Sequence, residues 1–254
     1  MTSHFIWYEL LTSDPDAAAA FYGDVLGWTA KDSGQDGMDY RILSMDGVAV
    51  GGLMALPSGA AKSGMRPGWL GYVSVSDVDK SVANIIAAGG AEHMPAVSLP
   101  GIGRIAMVAD PQGALLYVIA PTGSGQATSF APGTPGHGGW NELHTKDWAS
   151  ALAFYGAQFG WGKVHAMDMG PMGTYLQFNF GSGAMVGGMM NDSKAPRPYW
   201  LYYFNVGDIN AAGKRLAANG GEPMMEPHQV PTGHWIIQAR DPQGAMFALV
   251  GHNH

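Results

Sequence analysis

A chain of 254 residues with a net charge of -7, 13 basic residues and no basic run carries no electrostatic footprint for a phosphate backbone, which argues against a nucleic-acid partner. It contains no Cys, so disulfides, thiolate metal sites and thiol nucleophiles are excluded, and its 13% of charged residues, against roughly 25% in ordinary soluble domains, points to much buried area. Residues 1–11 lack a basic start and hold Glu9 within a short apolar run, and Gly and Pro interrupt longer uncharged stretches such as 48–61, so neither a signal peptide nor a membrane span is expected and a cytoplasmic setting is.

The first element is an apolar, β-forming run at residues 5–11, read as a buried strand. Asp14 can cap a helix that Pro15 begins and Gly27 ends, with Ala18, Phe21, Tyr22, Val25 and Leu26 on one face. Strands follow at 29–32, 40–45 and 48–55, the last two joined by an Asp46-Gly47 hairpin turn. The same order then restarts: a strand at 69–75, a helix at 77–88 stopped by Gly89-Gly90, and strands at 91–99, 104–109 and 115–120. An Asp110-Pro111-Gln112-Gly113 turn joins the last two.

The whole pattern then repeats. Residues 7–28 align with 140–161 at 12 of 22 identical positions, among them Trp7/Trp140, Glu9/Glu142, Phe21/Phe154, Tyr22/Tyr155 and Trp28/Trp161. Val50 to Met54 pairs with Val186 to Met190, Trp69 with Trp200, Asp77 with Asp208, and Asp110 to Ala114 with Asp241 to Ala245. These pairings make the chain a two-copy fusion of four modules rather than a solenoid. The uncharged Gly, Pro, Ser and Thr run between the copies reads as an exposed connector. The expected division is therefore a domain at 1–121 (modules 5–57 and 69–121), a linker at 122–138 and a domain at 139–254 (modules 139–193 and 199–252).

The Asp-Pro-Asp-(x4)-Phe-Tyr-(x3)-Leu-Gly-Trp stretch from Asp14, the Val-x-Asp-Val-Asp start and Gly-Gly stop of the even helices, and Asp-Pro-x-Gly before each final strand together resemble the vicinal oxygen chelate superfamily of glyoxalases, bleomycin resistance proteins and extradiol dioxygenases. The likeness is to its tandem glyoxalase-like branch and covers nearly the full chain. It implies an α+β fold of four βαβββ modules forming two domains, each a curled mixed sheet with outer helices and a cup for the ligand or metal.

The resemblance also implies metal-ligand positions on the first and last strand of each module. They fall on Trp7, Gly52, Tyr72 and Tyr117 in the first copy and on Trp140, Gly188, Tyr203 and Ala248 in the second. None is His, Glu, Gln or Asp, so no metal cofactor is expected at them. Strand alternation puts Glu9 on the face of Trp7, and Glu142 and His144 on the face of Trp140. Glu9 and Glu142 are candidate catalytic carboxylates or, equally, structural acceptors for neighbouring N–H or Tyr O–H groups. Trp7, Tyr72, Tyr117, Trp140, Tyr203, His144 and His234 are candidate ligand-binding residues, the rings forming a platform for a planar guest or simply filling the cup.

Three functions follow as expectations. The first is a metal-independent binder of an aromatic or hydrophobic metabolite, a monomer or homodimer whose partner is a small molecule. The second is a lyase or dioxygenase holding one divalent metal ion at Glu142 and His144, and the third is a structural protein with filled cups. His4, His137, His252 and His254 are expected to be exposed, and Met185, Met189, Met190, Met224 and Met225, with Met54 and Met94, to form core filler or a pocket wall.

Overall fold

The computed structural model describes residues 2–35, 37–59, 64–123 and 127–253. His254 and linker residues 124–126 lie outside that set. Module one comprises β1 (Phe5–Thr12), α1 (Pro15–Leu26), β2 (Thr29–Asp32), β3 (Tyr40–Met45) and β4 (Val48–Ala55), its strands lying in the order β2-β3-β4-β1. Module two comprises β5 (Gly68–Ser74), α2 (Val78–Ala87), β6 (Ala91–Leu99), β7 (Gly103–Ala109) and β8 (Leu115–Pro121), ordered β5-β8-β7-β6. Module three comprises β9 (Gly138–Thr145), α3 (Trp148–Phe159), β10 (Gly162–Asp168), β11 (Thr174–Asn179) and β12 (Gly187–Asn191). Module four comprises β13 (Tyr199–Asp208), α4 (Ile209–Ala218), β14 (Glu222–Pro223), β15 (His228–Gln229), β16 (Trp235–Arg240) and β17 (Met246–His252). The fold is α+β, with β1 to β8 in one mixed sheet and β9 to β17 in another.

Local chemistry places these elements where periodicity expects them. Asp14 accepts from the Ala17 amide at 3.0 Å, Pro15 occupies the first turn of α1, and Gly27 closes it in the left-handed conformation at φ 79°. Asp46 and Gly47 both take positive φ, 49° and 81°, the primed turn whose twist suits a tight hairpin. The second copy departs in module four, where the counterpart of the nine-residue β6 is broken into β14 and β15. Pro223 and Pro227 lack the N–H groups a continuous ladder needs.

The described chain groups into two compact units, each built from one module of each copy. The first unit (residues 1–6, 71–127 and 140–201) packs Phe5 against Trp161 and Trp200, with centroids 5.5 and 5.3 Å apart, and stacks Trp161 on Tyr155 at 5.2 Å. The second (residues 7–70, 128–139 and 202–254) packs Trp28 and Trp69 against Phe204, each at 4.9 Å, and Tyr8 against Tyr202 at 5.0 Å.

Each unit is fastened by the same three repeated residues. In the first, the Tyr155 hydroxyl donates to Asp110 Oδ2 at 3.0 Å and accepts from Trp200 Nε1 at 3.2 Å. In the second, Tyr22 donates to Asp241 at 3.1 Å and accepts from Trp69 at 2.9 Å. Burial, foremost, and the Asp241 charge push the Tyr22 hydroxyl well above its ordinary pKa, so it stays a donor.

The linker departs from an exposed connector. Its C-terminal part is built into the second unit: Asn205 accepts from the Gly133 amide at 3.1 Å and donates to the His137 carbonyl at 2.8 Å, and Trp28 donates to the Gly136 carbonyl at 2.8 Å. His137, expected to be exposed, is buried, because backbone groups that leave water must find such partners. Among the described residues, no helix is long and apolar enough to cross a membrane.

Candidate functional site

The first unit concentrates the polar chemistry. The pleat of β9 brings Trp140, Glu142 and His144 to one face, as expected, and the parallel ladder sets Glu142 opposite Gly188 of β12. The absent side chain at Gly188 leaves the space that Tyr175 of β11 fills, because a Cβ there would run into the Tyr175 hydroxyl and ring. The hydroxyl accepts from Trp140 Nε1 at 2.8 Å and donates to Glu142 Oε2 at 2.6 Å.

Glu142 Oε1 also faces His144 Nε2 at 2.9 Å, and His144 Nδ1 faces Asp192 Oδ2 at 3.0 Å. The imidazole stacks on Tyr199, with centroids 4.6 Å apart and planes 8° from parallel. Asp192, just past β12, is fixed by the Lys194 and Ala195 amides, which donate to its other oxygen at 2.9 and 3.1 Å.

This arrangement restricts where hydrogen can sit. A neutral imidazole has one donor nitrogen and one acceptor, so both contacts are hydrogen bonds only if both ring nitrogens, or a facing carboxyl oxygen, carry hydrogen. Burial pulls the His144 pKa down, but the hydrogen bonds and charges of Glu142 and Asp192 together outweigh it, and the net shift is upward. Asp192 moves the other way: partial burial is overcome by the His144 hydrogen bond and the backbone donors, and its pKa is lowered. Burial, aided by Glu142, pushes the Tyr175 hydroxyl well above its usual range, which keeps it protonated.

The first copy repeats half of this design in the second unit. Trp7 Nε1 donates to the Tyr40 hydroxyl at 2.8 Å, buried Glu9 lies opposite Gly52, and a Cβ on Gly52 would run into Tyr40. Leu11 stands where His144 does and Leu56 where Asp192 does, so the three-membered acid–base chain exists only in the second copy.

Tyr72 and Tyr117 are brought together as neighbours on β5 and β8, stacked at 4.3 Å with planes 16° apart. Tyr203 lies opposite Ala248 and accepts from Gln238 Nε2 at 2.8 Å. His234 keeps company with Thr232, at 3.2 Å, and with the exposed His252, in the second unit. Among the Met residues, Met189 is buried in the core, whereas Met185 and Met224 are exposed.

A resident divalent ion does not fit this donor set. The eight implied ligand positions carry rings, hydroxyls or no functional group, and the space over two of them is filled by Tyr40 and Tyr175. At Glu142 and His144, the expected alternative, both ring nitrogens are engaged by carboxylates on opposite sides, so no point lies within ligand distance of all three side chains. Among the described residues, no group of three or more His, Asp or Glu could hold a metal ion.

Sequence reasoning missed Tyr40, Tyr175, Asp192 and Tyr199. A signal existed for the first two: a Tyr precedes a Gly-Gly pair at nearly equal spacing in both copies, large against small across an antiparallel pair.

The chain matches the model of the Glyoxalase/Bleomycin resistance protein/Dioxygenase superfamily over residues 4–118 and again over 139–249. It is 34% identical over 253 residues to "Putative glyoxylase CFP32" of Mycobacterium tuberculosis, covering 96% of this chain and 93% of that protein. It is 31% identical over 259 residues to the anthracycline biosynthesis protein DauV of Streptomyces sp. (strain C5), covering 96% and 91%. Among solved structures it resembles the Mn(II)-bound glyoxalase from Novosphingobium aromaticivorans, with a TM-score of 0.69, 17% identity and coverage of 98% and 82%. It also resembles the 2,3-dioxygenase LapB from Pseudomonas sp. KL28, with a TM-score of 0.64, 15% identity and coverage of 97% and 91%. With both copies matched and relatives aligned along almost their whole length, this chain belongs to the Glyoxalase/Bleomycin resistance protein/Dioxygenase superfamily.

Proposed function

We propose that this chain is a metal-independent, small-molecule-binding member of its superfamily, taking a planar, hydroxylated aromatic metabolite in a cytoplasmic setting, with the two copies joined at residues 122–138. One observation carries the reading: over Gly188 the Tyr175 hydroxyl is clasped between Trp140 and Glu142, and Tyr40 with Trp7 repeats the clasp over Gly52, so polar rings stand where the family resemblance would put metal ligands. An indole edge, a phenol and a carboxylate so placed suit a flat guest that offers a hydroxyl group. Similarity to two anthracycline biosynthesis proteins supports a polycyclic aromatic ligand.

The test pairs elemental analysis of the purified protein with a tryptophan-fluorescence titration by 1,2-dihydroxyanthraquinone. Expected are substoichiometric divalent metal and saturable quenching in the micromolar range, about -8 kcal/mol. Replacing Tyr175 by Phe should weaken binding by roughly three- to tenfold, the worth of one hydrogen bond. A stoichiometric metal ion, or quenching that does not saturate, overturns the reading.

A further inference from the structure

The duplication kept Trp, Tyr, Glu and Gly in both copies but placed His144 and Asp192 in only one, which asks what the extra pair does. An imidazole held between two carboxylates is a poor structural filler, since three ionisable groups crowd into a mostly buried space where the other copy sets two leucines beside a single glutamate. The three groups are also graded in exposure. Glu142 and His144 are buried, with side chains 8% and 7% exposed, while Asp192 reaches water at 22%. Around them, Tyr199 covers one ring face, Tyr175 accepts from Trp140 and donates to Glu142, and the Lys194 and Ala195 amides take the second Asp192 oxygen.

We propose that Asp192, His144 and Glu142 form a proton relay from solvent to the ligand, so that the second copy alone ionises a bound phenol while the first copy only binds. The proposal rests on the binding function above and adds a chemical step to it. The ligand O–H bond breaks and its proton passes to a Glu142 oxygen, leaving a phenolate. His144, whose Nε2–H stays on that same carboxyl group, loses its Nδ1 hydrogen to Asp192 and is left as the neutral ring. Asp192 then yields its proton to water. The sum is one phenol converted to one phenolate and one solvated proton, with Glu142 left protonated, His144 left neutral and no change of oxidation state. Glu142 is the group that touches the ligand; His144 and Asp192 act through it.

Two measurements test this, the first without ligand. In 15N-labelled protein, both ring nitrogens of His144 should carry hydrogen near neutral pH, and Asp192→Asn should slow exchange of the Nδ1 hydrogen with water by about tenfold, because an amide cannot carry a proton onward. A merely structural Asp192 predicts the reverse, since a weaker hydrogen bond frees the ring hydrogen and speeds exchange. Equal or faster exchange in the variant therefore overturns the relay.

The second measurement uses 1,2-dihydroxyanthraquinone, whose visible absorption shifts on ionisation. The native protein should bind it with the anion's absorption, and Glu142→Gln should bind it without. Saturable quenching with no absorption shift in the native protein, or an undiminished shift in Glu142→Gln, overturns the relay and leaves the binding function standing. Unsaturable quenching defeats the binding function itself, while the ligand-free exchange result still decides the relay.

Discussion

At the scale of single residues, the site depends as much on what Gly52 and Gly188 lack as on what the aromatic residues supply. An added methyl at Gly188 meets the Tyr175 ring, with Cε1 only 2.6 Å away, on one edge of a packed strand pair that has little room to yield. Gly188→Ala should therefore cost about 1–3 kcal/mol in urea unfolding and displace the hydroxyl from Glu142. Gly207→Ala, where an added Cβ meets nothing within 4 Å, should change stability little. Equal losses at the two positions would show that Tyr175 does not depend on the space over Gly188. The sequence revealed Trp140, Glu142 and His144 as a shared face, because alternation along a strand is strictly local. It hid Tyr175 and Asp192, which reach the same point from β11 and from the turn after β12 and are brought there only by strand pairing.

At the scale of elements, the repeated motifs turn out to be fasteners. The Asp-Pro-Gln-Gly turns are stabilised internally, with Asp110 accepting from the Gln112 and Ala114 amides at 2.8 and 2.9 Å, and their free oxygen anchors the Tyr of a helix from the other copy. The Phe-Tyr pair on α3 and the turn before β8, which serve as separate landmarks in the sequence, thus meet at one buried hydrogen bond. Tyr155→Phe removes the donor to Asp110 and the acceptor for Trp200, leaving two buried polar groups unpaired. It should lower stability by about 1–3 kcal/mol with the slope of the urea transition unchanged. A loss below about 0.5 kcal/mol would mean water replaces the hydroxyl at little cost. Element boundaries were legible because caps and turns announce them locally. The broken strand at β14 and β15 was less so, since Pro95 is tolerated within β6 at a register shift while Pro223 and Pro227 are not spanned by one strand.

At the scale of the whole molecule, the sequence and the packing divide the chain differently. Each sheet draws its strands from one copy, whereas each compact unit draws modules from both. The Tyr155 to Asp110 bond, the Tyr22 to Asp241 bond and the contact of the Arg215 guanidinium with the Val25 carbonyl at 2.9 Å all join residues that a cut in the linker would assign to different fragments. A fragment of residues 1–121 keeps every local turn and cap but loses Trp161, Trp200 and Phe204, the rings that Phe5, Trp28 and Trp69 pack against. Large buried aromatic surfaces of this kind supply much of the favourable free energy of folding, and a small domain has little to spare. Either half expressed alone should therefore fail to give a cooperative unfolding transition as a monomer, and should pair with itself or aggregate through the exposed rings. Coexpression of the two halves should restore an equimolar complex with the circular dichroism of the intact chain. Size-exclusion chromatography with light scattering separates these outcomes. A monomeric half that melts cooperatively would establish that one copy's sheet suffices as a folding unit, and that the bonds between copies join domains already formed.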